Sequence, residues 1–278
     1  MPEILISIIT PCYNTGAFIE ETIKSVSSMC NDKVEHIIVD GLSTDNTSEI
    51  LNKYRNLTNF KFISEKDEGI YDALNKGIAM AKGNYIGWLN ADDVYEVDVV
   101  SKVLKLLENN HTPDMFSGDG QLYQDNFNAK SLLRNYKHYR DSRFKPSINN
   151  LKFAHLNCCF MAKHIFEDNG KFDSKYKIAG DREYMLRMMK NNYKSYYLDS
   201  VVCKYRMHDS SLTFNKINIL TGGAFLPIDH PVRAEIIKIA NMNINLNSSV
   251  LINIWAVSKI TKYAFIRVFS KINGLIKK

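Results

Sequence analysis

The sequence predicts an α/β protein, a mostly parallel sheet flanked by helices with a helical extension at the C-terminal end. Three observations carry this. Short apolar runs alternate with segments of helical periodicity through residues 4–93, the signature of strands joined by helical crossovers. The clearest helical pattern falls between two of those runs. Two of the runs also end in acidic residues, at Asp40 and at Asn90–Asp93, and open α/β sheets bind ligands beyond the carboxyl ends of their strands.

Taken in order, Ile4–Thr10 is a continuous apolar run bounded by Pro11, the pattern of a fully buried strand. Helical spacing follows through Phe18, Ile19, Ile23 and Val26. Val34–Asp40 repeats the strand pattern, and Gly41-Leu-Ser-Thr-Asp45 turns the chain into a helix through Ile50, Leu51 and Tyr54. Phe60–Ile63 reads as a third strand. Ile70, Ala73, Leu74, Gly77, Ile78 and Ala81 then fall on one helical face, with Gly83 where a C-cap belongs. Tyr85–Leu89 is a short buried strand ending in Asn90-Ala-Asp-Asp93, and a helix begins near Val97. Residues 121–160 mix aromatic and basic residues with weak periodicity. A helix from Asp181 to about Lys190 directs Tyr184, Met185, Met188 and Met189 inward.

With 278 residues, 45% hydrophobic and 24% charged, the chain suits one large domain, or one domain plus an appendage, whose core needs no staples. The expected division is a catalytic domain over 1–225 and a basic amphipathic region over 226–278. Five cysteines lie scattered without a CxxC spacing, which points to a reducing compartment and makes Cys158–Cys159 buried filler. The N-terminal segment reads as a strand and not a signal peptide, and no stretch offers the ~20 apolar residues of a spanning helix. A cytoplasmic location is expected. The net charge of +6 is concentrated after Glu235, where seven lysines and arginines meet no acid. The remainder is close to neutral, so the charge is no nucleic-acid signature.

Asp92 and Asp93 are the first candidates for chemistry. Adjacent carboxylates after an apolar strand are costly unless something offsets their charge. A hard divalent cation, Mn²⁺ or Mg²⁺, shared with substrate phosphates would do so; a helix N-cap at Asp93 is the bland alternative. Asp40 at its strand end suits a base or ribose contact, or simple turn chemistry. Asp45 reads as a helix cap. Lys66 and Asp67 lie at another strand-to-helix junction, where a lysine suits a phosphate and an aspartate a sugar or nucleoside hydroxyl. Asn75 is either a further donor contact or part of a solvated helix face. Asp181 opens a helix, as a cap or as a general base. Arg206 and His208 cluster with hydroxyls in Tyr205-Arg-Met-His-Asp-Ser-Ser-Leu-Thr213, a group suited to a diphosphate.

Five short motifs in order give these residues a common context. They are Ile8-Ile-Thr-Pro-Cys-Tyr-Asn14, Val39-Asp-Gly-Leu-Ser-Thr-Asp-Asn-Thr47, Glu65-Lys-Asp-Glu-Gly-Ile-Tyr-Asp-Ala-Leu-Asn-Lys-Gly77, Trp88-Leu-Asn-Ala-Asp-Asp93, and Phe172-Asp173 followed by Ala179-Gly-Asp181. Over roughly residues 4–213 the chain resembles the family 2 glycosyltransferases of the Rossmann-like GT-A fold, and the third motif is similar to a signature of a bacterial surface-polysaccharide subgroup. The resemblance implies that Asp40 contacts the nucleobase in a pocket lined by Thr10 and Pro11. It also implies that Asp92 ligates the metal on a UDP-sugar diphosphate, that Asp93 meets the sugar or supports the site, and that Asp181 is the base of an inverting transfer to a glycan or lipid-linked acceptor. Asn90 departs from the family's frequent Asp-x-Asp and leaves the site one charge short, with His208 as a possible further ligand.

Beyond Ser249, apolar blocks alternate with single cations. Such a helix suits the plane of an anionic membrane surface, or packing on the catalytic domain or a second subunit. Rival functions fare worse. A sugar nucleotidyltransferase would need a glycine-rich basic loop after the first strand, and a dehydrogenase a GxGxxG there. A non-catalytic binding subunit on the same fold is the reading from a different class.

Overall fold

A computed structural model of the chain describes residues 3–136, 142 and 155–211. Its strands are β1 (Ile6–Cys12), β2 (Val34–Asp40), β3 (Phe60–Ser64), β4 (Tyr85–Trp88), β5 (Val94–Tyr95), β6 (Met115–Gln124), β7 (Leu132–Tyr136), β8 (Cys159–Ala162) and β9 (Ser195–Met207). The helices are α1 (Ile19–Ser27), α2 (Thr47–Lys53), α3 (Ile70–Met80), α4 (Val99–Glu108), α5 (Lys163–Asn169) and α6 (Gly180–Met188).

All nine strands join one sheet in the order β3-β2-β1-β4-β8-β6-β9-β5, with β7 beside β6. The pairs β1–β2, β2–β3 and β1–β4 are parallel, as the strand–helix alternation predicts. The second half adds antiparallel pairs of β8 with β4 and β6, and of β5 with β9, while β6 and β9 run parallel. Of these strands, only the end of β6 and the start of β8 fall in the 121–160 stretch of weak periodicity.

β1 and β2 are buried at every residue, because helices cover both faces of this half. Ile37 and Val39 pack in one cluster with Ala73 and Leu74 of α3 and with Tyr184, Met185 and Met188 of α6. Ile38 packs in another, with Ile19 and Ile23 of α1 and Ile50 and Leu51 of α2. The four inward residues expected of the late helix, Met189 included, are all buried. So are Cys158 and Cys159.

Three local expectations need correction. β1 does not stop at Pro11 but runs on to Cys12. Its pairing with β4 ends at Ile9–Trp88, and Leu89 N–H donates to Ile9 O, so Pro11 faces the side where no strand awaits its missing N–H. Gly83 does not cap α3, whose C-cap is Ala81. A Cβ at Gly83 would lie 2.5 Å from the Ser7 nitrogen, so the residue is set by close backbone approach. Asp93 caps no helix either, because β5 intervenes and α4 starts only at Val99. The basic region 226–278 lies outside the described residues. Among those described, no helix is long and apolar enough to cross a membrane.

Candidate active site

Between β1 and β4 the strand order reverses: β2 and β3 lie on one side of β1, and β4 on the other. Such a switch point leaves a crevice beyond the strand ends, and the acidic turn Asn90–Asp93 follows β4 directly into it.

That turn is held from three directions. The Thr22 hydroxyl of α1 bonds to Ala91 O at 2.9 Å and Asp93 O at 2.8 Å. The Arg206 backbone N–H at the end of β9 donates to Asp93 Oδ1 at 2.9 Å. Asn90 Nδ2 donates to Asp93 Oδ2 at 3.1 Å, while Asn90 Oδ1 accepts from Trp88 Nε1 at 2.8 Å. Asp93 is only 3% exposed. Burial, then the charge of Asp92, pushes its carboxyl well above the usual range. It therefore supports the turn from beneath. Both ends of the Asn90 amide are thus committed inside the turn. An aspartate there would place a third carboxylate against Asp93.

Arg206 is 5% exposed, its guanidinium engaged within the frame. Nε donates to Asp92 O at 3.0 Å, the other two guanidinium nitrogens bond to Asp125 O and Glu21 Oε2, and the guanidinium lies over the rings of Phe18 and Phe127. It is a strut between α1, β9 and the acidic turn.

Asp92 faces outward from this frame. Its Oδ2 lies 3.0 Å from His208 Nε2. The His208 ring rests 4.3 Å from that of Phe18 and bonds through Nδ1 to Ser210 Oγ at 2.8 Å. The carboxylate and the imidazole are hydrogen-bonded to each other here, and both are groups of a kind that could hold a divalent cation such as Mn²⁺. Among the described residues no third His, Cys, Asp or Glu joins them. The pair fits a cation that takes its remaining ligands from phosphate and water, and not a cation caged by protein alone.

On the other side of β1, Asp40 is fully buried. Ser43 N–H, the Ser43 hydroxyl and the Ser64 hydroxyl (2.6 Å) all donate to its carboxylate, so in this arrangement the group orders the Gly41–Ser43 turn. Asp67 joins that turn. Its Oδ1 accepts from Gly69 N–H at 2.8 Å, and its Oδ2 stands 2.5 Å from where a Cβ on Gly41 would be, so a side chain at Gly41 would displace the Asp67 carboxylate. Asp45 bonds to Thr47 N–H as the expected cap and also to Gly16 N–H, both at 2.9 Å. Thr10 is buried, its hydroxyl 2.9 Å from His36 Nε2. Pro11 is buried at the strand end. The Lys66 side chain is exposed, with only its carbonyl engaged, by Lys76 Nζ.

Asp181 lies in the first turn of α6, its side chain 24% exposed. Its Oδ1 accepts from Arg182 N–H at 2.8 Å, and Arg182 Nε lies 3.8 Å from Oδ2. Burial raises its carboxyl pKa, partly offset by Arg182 and by a hydrogen bond from Tyr71. Asn75 is half-buried on the α3 surface. Its amide clasps the Phe172 backbone at 2.9 Å in both directions. Sequence reasoning missed Thr22, Glu21, Phe18, Ser43 and Ser64. For Thr22 a signal existed, a polar residue on the apolar face of a helix.

The sheet and its strand-end crevice are similar to those of GT-A-fold structures. The profile of Glycosyl transferase family 2 matches residues 7–170, and the chain belongs to that family. Arg206 and His208 lie beyond the matched stretch. The chain is 27% identical over 216 residues to TuaG of Bacillus subtilis (strain 168), a glycosyltransferase assigned to teichuronic acid biosynthesis, covering 76% of this chain and 82% of that one. It is 26% identical to a PGL/p-HBAD biosynthesis glycosyltransferase of Mycobacterium bovis (strain BCG / Pasteur 1173P2), covering 72% and 76%. Among solved structures it is similar in fold to S. aureus TarS 1–349 in complex with UDP-GlcNAc, with a TM-score of 0.65, 17% identity and coverage of 88% and 69%. The mannosyltransferase PcManGT from Pyrobaculum calidifontis, in complex with GDP-Man and Mn²⁺, gives a TM-score of 0.54 at 16% identity, covering 95% and 80%.

Proposed function

We propose that the chain is an inverting, metal-dependent glycosyltransferase. It moves a sugar from a nucleoside diphosphate, UDP in the first instance, to a hydroxyl of a glycan or lipid-linked acceptor in surface polysaccharide synthesis. The observation that carries this reading is the convergence of Asp92 and His208 at 3.0 Å on the strand-end rim, across β1 from the Asp40–Gly41–Asp67 turn. Names of relatives, teichuronic acid and PGL/p-HBAD biosynthesis, support the acceptor class, and the UDP-GlcNAc held by TarS supports the donor class.

In this reading the Asp40–Asp67 turn receives the nucleoside, with Pro11 and Lys66 at its margins. Asp92 and His208 would hold Mn²⁺ or Mg²⁺, which would supply positive charge beside the departing diphosphate. Asp181 accepts the proton of the acceptor hydroxyl, whose oxygen bonds to the anomeric carbon from the face opposite the diphosphate. The anomeric C–O bond breaks and its electron pair leaves with the nucleoside diphosphate, so configuration inverts without a covalent sugar–enzyme species. The basic region 226–278 would lie on an anionic membrane surface at the cytoplasmic face.

The test is release of UDP from UDP-GlcNAc, UDP-glucose and UDP-galactose with Mn²⁺ or with EDTA, for the wild type and Asp181→Asn. Mn²⁺-dependent UDP release that Asp181→Asn abolishes, with nucleotide binding retained, is expected. Pyrophosphate as product would mark a nucleotidyltransferase, and absence of turnover with binding intact would mark a non-catalytic subunit.

A further inference from the structure

Tyr71 sits in the first turn of α3, 3% exposed, and its surroundings go beyond core packing. Its ring lies against the backbone that leads into α6: a Cβ on Gly180 would stand 2.7 Å from Tyr71 Cε2 and 2.9 Å from Cδ2 and Cζ. The residue before Asp181 must therefore be glycine for the ring to stay. The ring is wedged in place, stacked on Phe172 at 5.7 Å and edge-on to Trp88 at 6.2 Å. Its hydroxyl donates to Ile178 O at 2.7 Å, three residues before Asp181, and its nearness to the Asp181 carboxyl favours the charged form. The ring and the hydroxyl thus both bear on the short segment that leads into Asp181.

We propose that Tyr71 is the positioning residue of Asp181, its ring setting the Ile178–Gly180 backbone and its hydroxyl orienting the carboxylate. This rests on the reading of Asp181 as the base. While Asp181 is ionised, the phenolic proton turns to the carboxylate and holds one of its oxygens in place, leaving the other toward the acceptor. Once Asp181 has taken the acceptor's proton, the phenolic proton is satisfied by Ile178 O. No proton leaves Tyr71 and the balance of the transfer is unchanged. The same wedge ties the two halves of the rim together. Trp88, against which Tyr71 packs, donates to Asn90, and Asn90 donates to Asp93. Among the described residues, Arg182 on its own helix and Tyr71 from α3 are titratable groups that act on Asp181.

The decisive measurement is a ¹³C NMR titration of the aspartate carboxyls in the full chain, with Asp181 assigned by its disappearance in Asp181→Asn. In Tyr71→Phe, which keeps the ring, the Asp181 midpoint moves to higher pH, because a hydrogen bond that favours the charged form is gone. UDP release from the UDP-sugar that the wild type turns over fastest falls roughly ten-fold, with the donor KM within about two-fold, the loss of about one hydrogen bond. Gly180→Ala, which keeps the hydroxyl and pushes the ring, lowers the same rate at unchanged donor KM. An unmoved Asp181 midpoint in Tyr71→Phe overturns the proposal, whatever the rate does. Normal turnover by Asp181→Asn sinks instead the base reading on which it rests, so the two failures are distinguishable.

Discussion

Asp92 Oδ2 and His208 Nε2 stand 3.0 Å apart across 116 residues of sequence. β4 delivers the first and β9 the second, and Arg206 binds the backbone of the one and neighbours the other. If this pair holds the cation, its members are unequal, because the carboxylate supplies charge and the imidazole only a lone pair. Asp92→Asn is expected to reduce Mn²⁺-dependent UDP release at least roughly a hundred-fold, and His208→Ala roughly ten-fold with partial rescue at raised Mn²⁺. Rates measured across a Mn²⁺ titration check this. Equal, unrescued losses would count against shared ligation.

Asn90 replaces a charge with an amide at a place where a charge would be ill-matched. Asn90→Asp removes the donor to buried Asp93 and sets two carboxylates together. The expected cost is about 1–3 kcal/mol, read as a lower urea midpoint with an unchanged slope. A variant as stable as the wild type would show that the turn can reorganise around the extra charge.

Arg206 holds three groups at once, and truncating it strands each of them. Arg206→Met should cost about 3 kcal/mol, near the lower end for breaking a buried ion pair, because the Glu21 side chain is 54% exposed and screened. Arg206→Lys should recover little of the loss, as an ammonium cannot span the same partners. Denaturant unfolding of both variants gives the comparison.

His36 carries a pH dependence. Burial holds its imidazole neutral, with its pKa lowered to about 3, against about 6.5 in an unfolded chain. The stability this neutral ring contributes is fully present above about pH 6.5 and is lost as the pH falls toward 3. Replacing both partners, Thr10→Val with His36→Leu, leaves no orphaned polar group. Between pH 6.5 and 4 the double variant should lose stability less steeply, by about one proton, in urea unfolding series at stepped pH.

The basic region gives the last test. Removing residues 249–278 should release the protein from phosphatidylserine-containing vesicles in a sedimentation assay while leaving UDP release intact. Unchanged vesicle binding would refute the surface anchor.

The sequence shows the parallel half of the sheet, since residues 4–93 repeat strand and helix in clean periods and both faces of β1 and β2 are apolar. It shows the rim as well, because acids at strand ends are few. The second half is not legible in this way. β6, β8 and β9 pair across long separations, and antiparallel insertion leaves no periodic trace of its own. Side-chain partners are the least legible. Arg206, Asn75 and Asn90 are polar residues in motif positions, but each is turned inward to satisfy backbone or carboxyl groups, which only the fold decides. Where burial and pattern agreed, as for Tyr184, Met185 and Met188, the expectation holds.

β9 is the last described strand, thirteen residues long, and it ends where Asp93 finds its donor and Asp92 its imidazole. Synthesis therefore delivers the frame long before the chemistry. A nascent chain with β1 to β4 already emerged carries Asp93 without the N–H that Arg206 later brings and Asp92 without its counterpart. The contacts that frame Asp92 and Asp93 therefore form only once the sheet closes with β9.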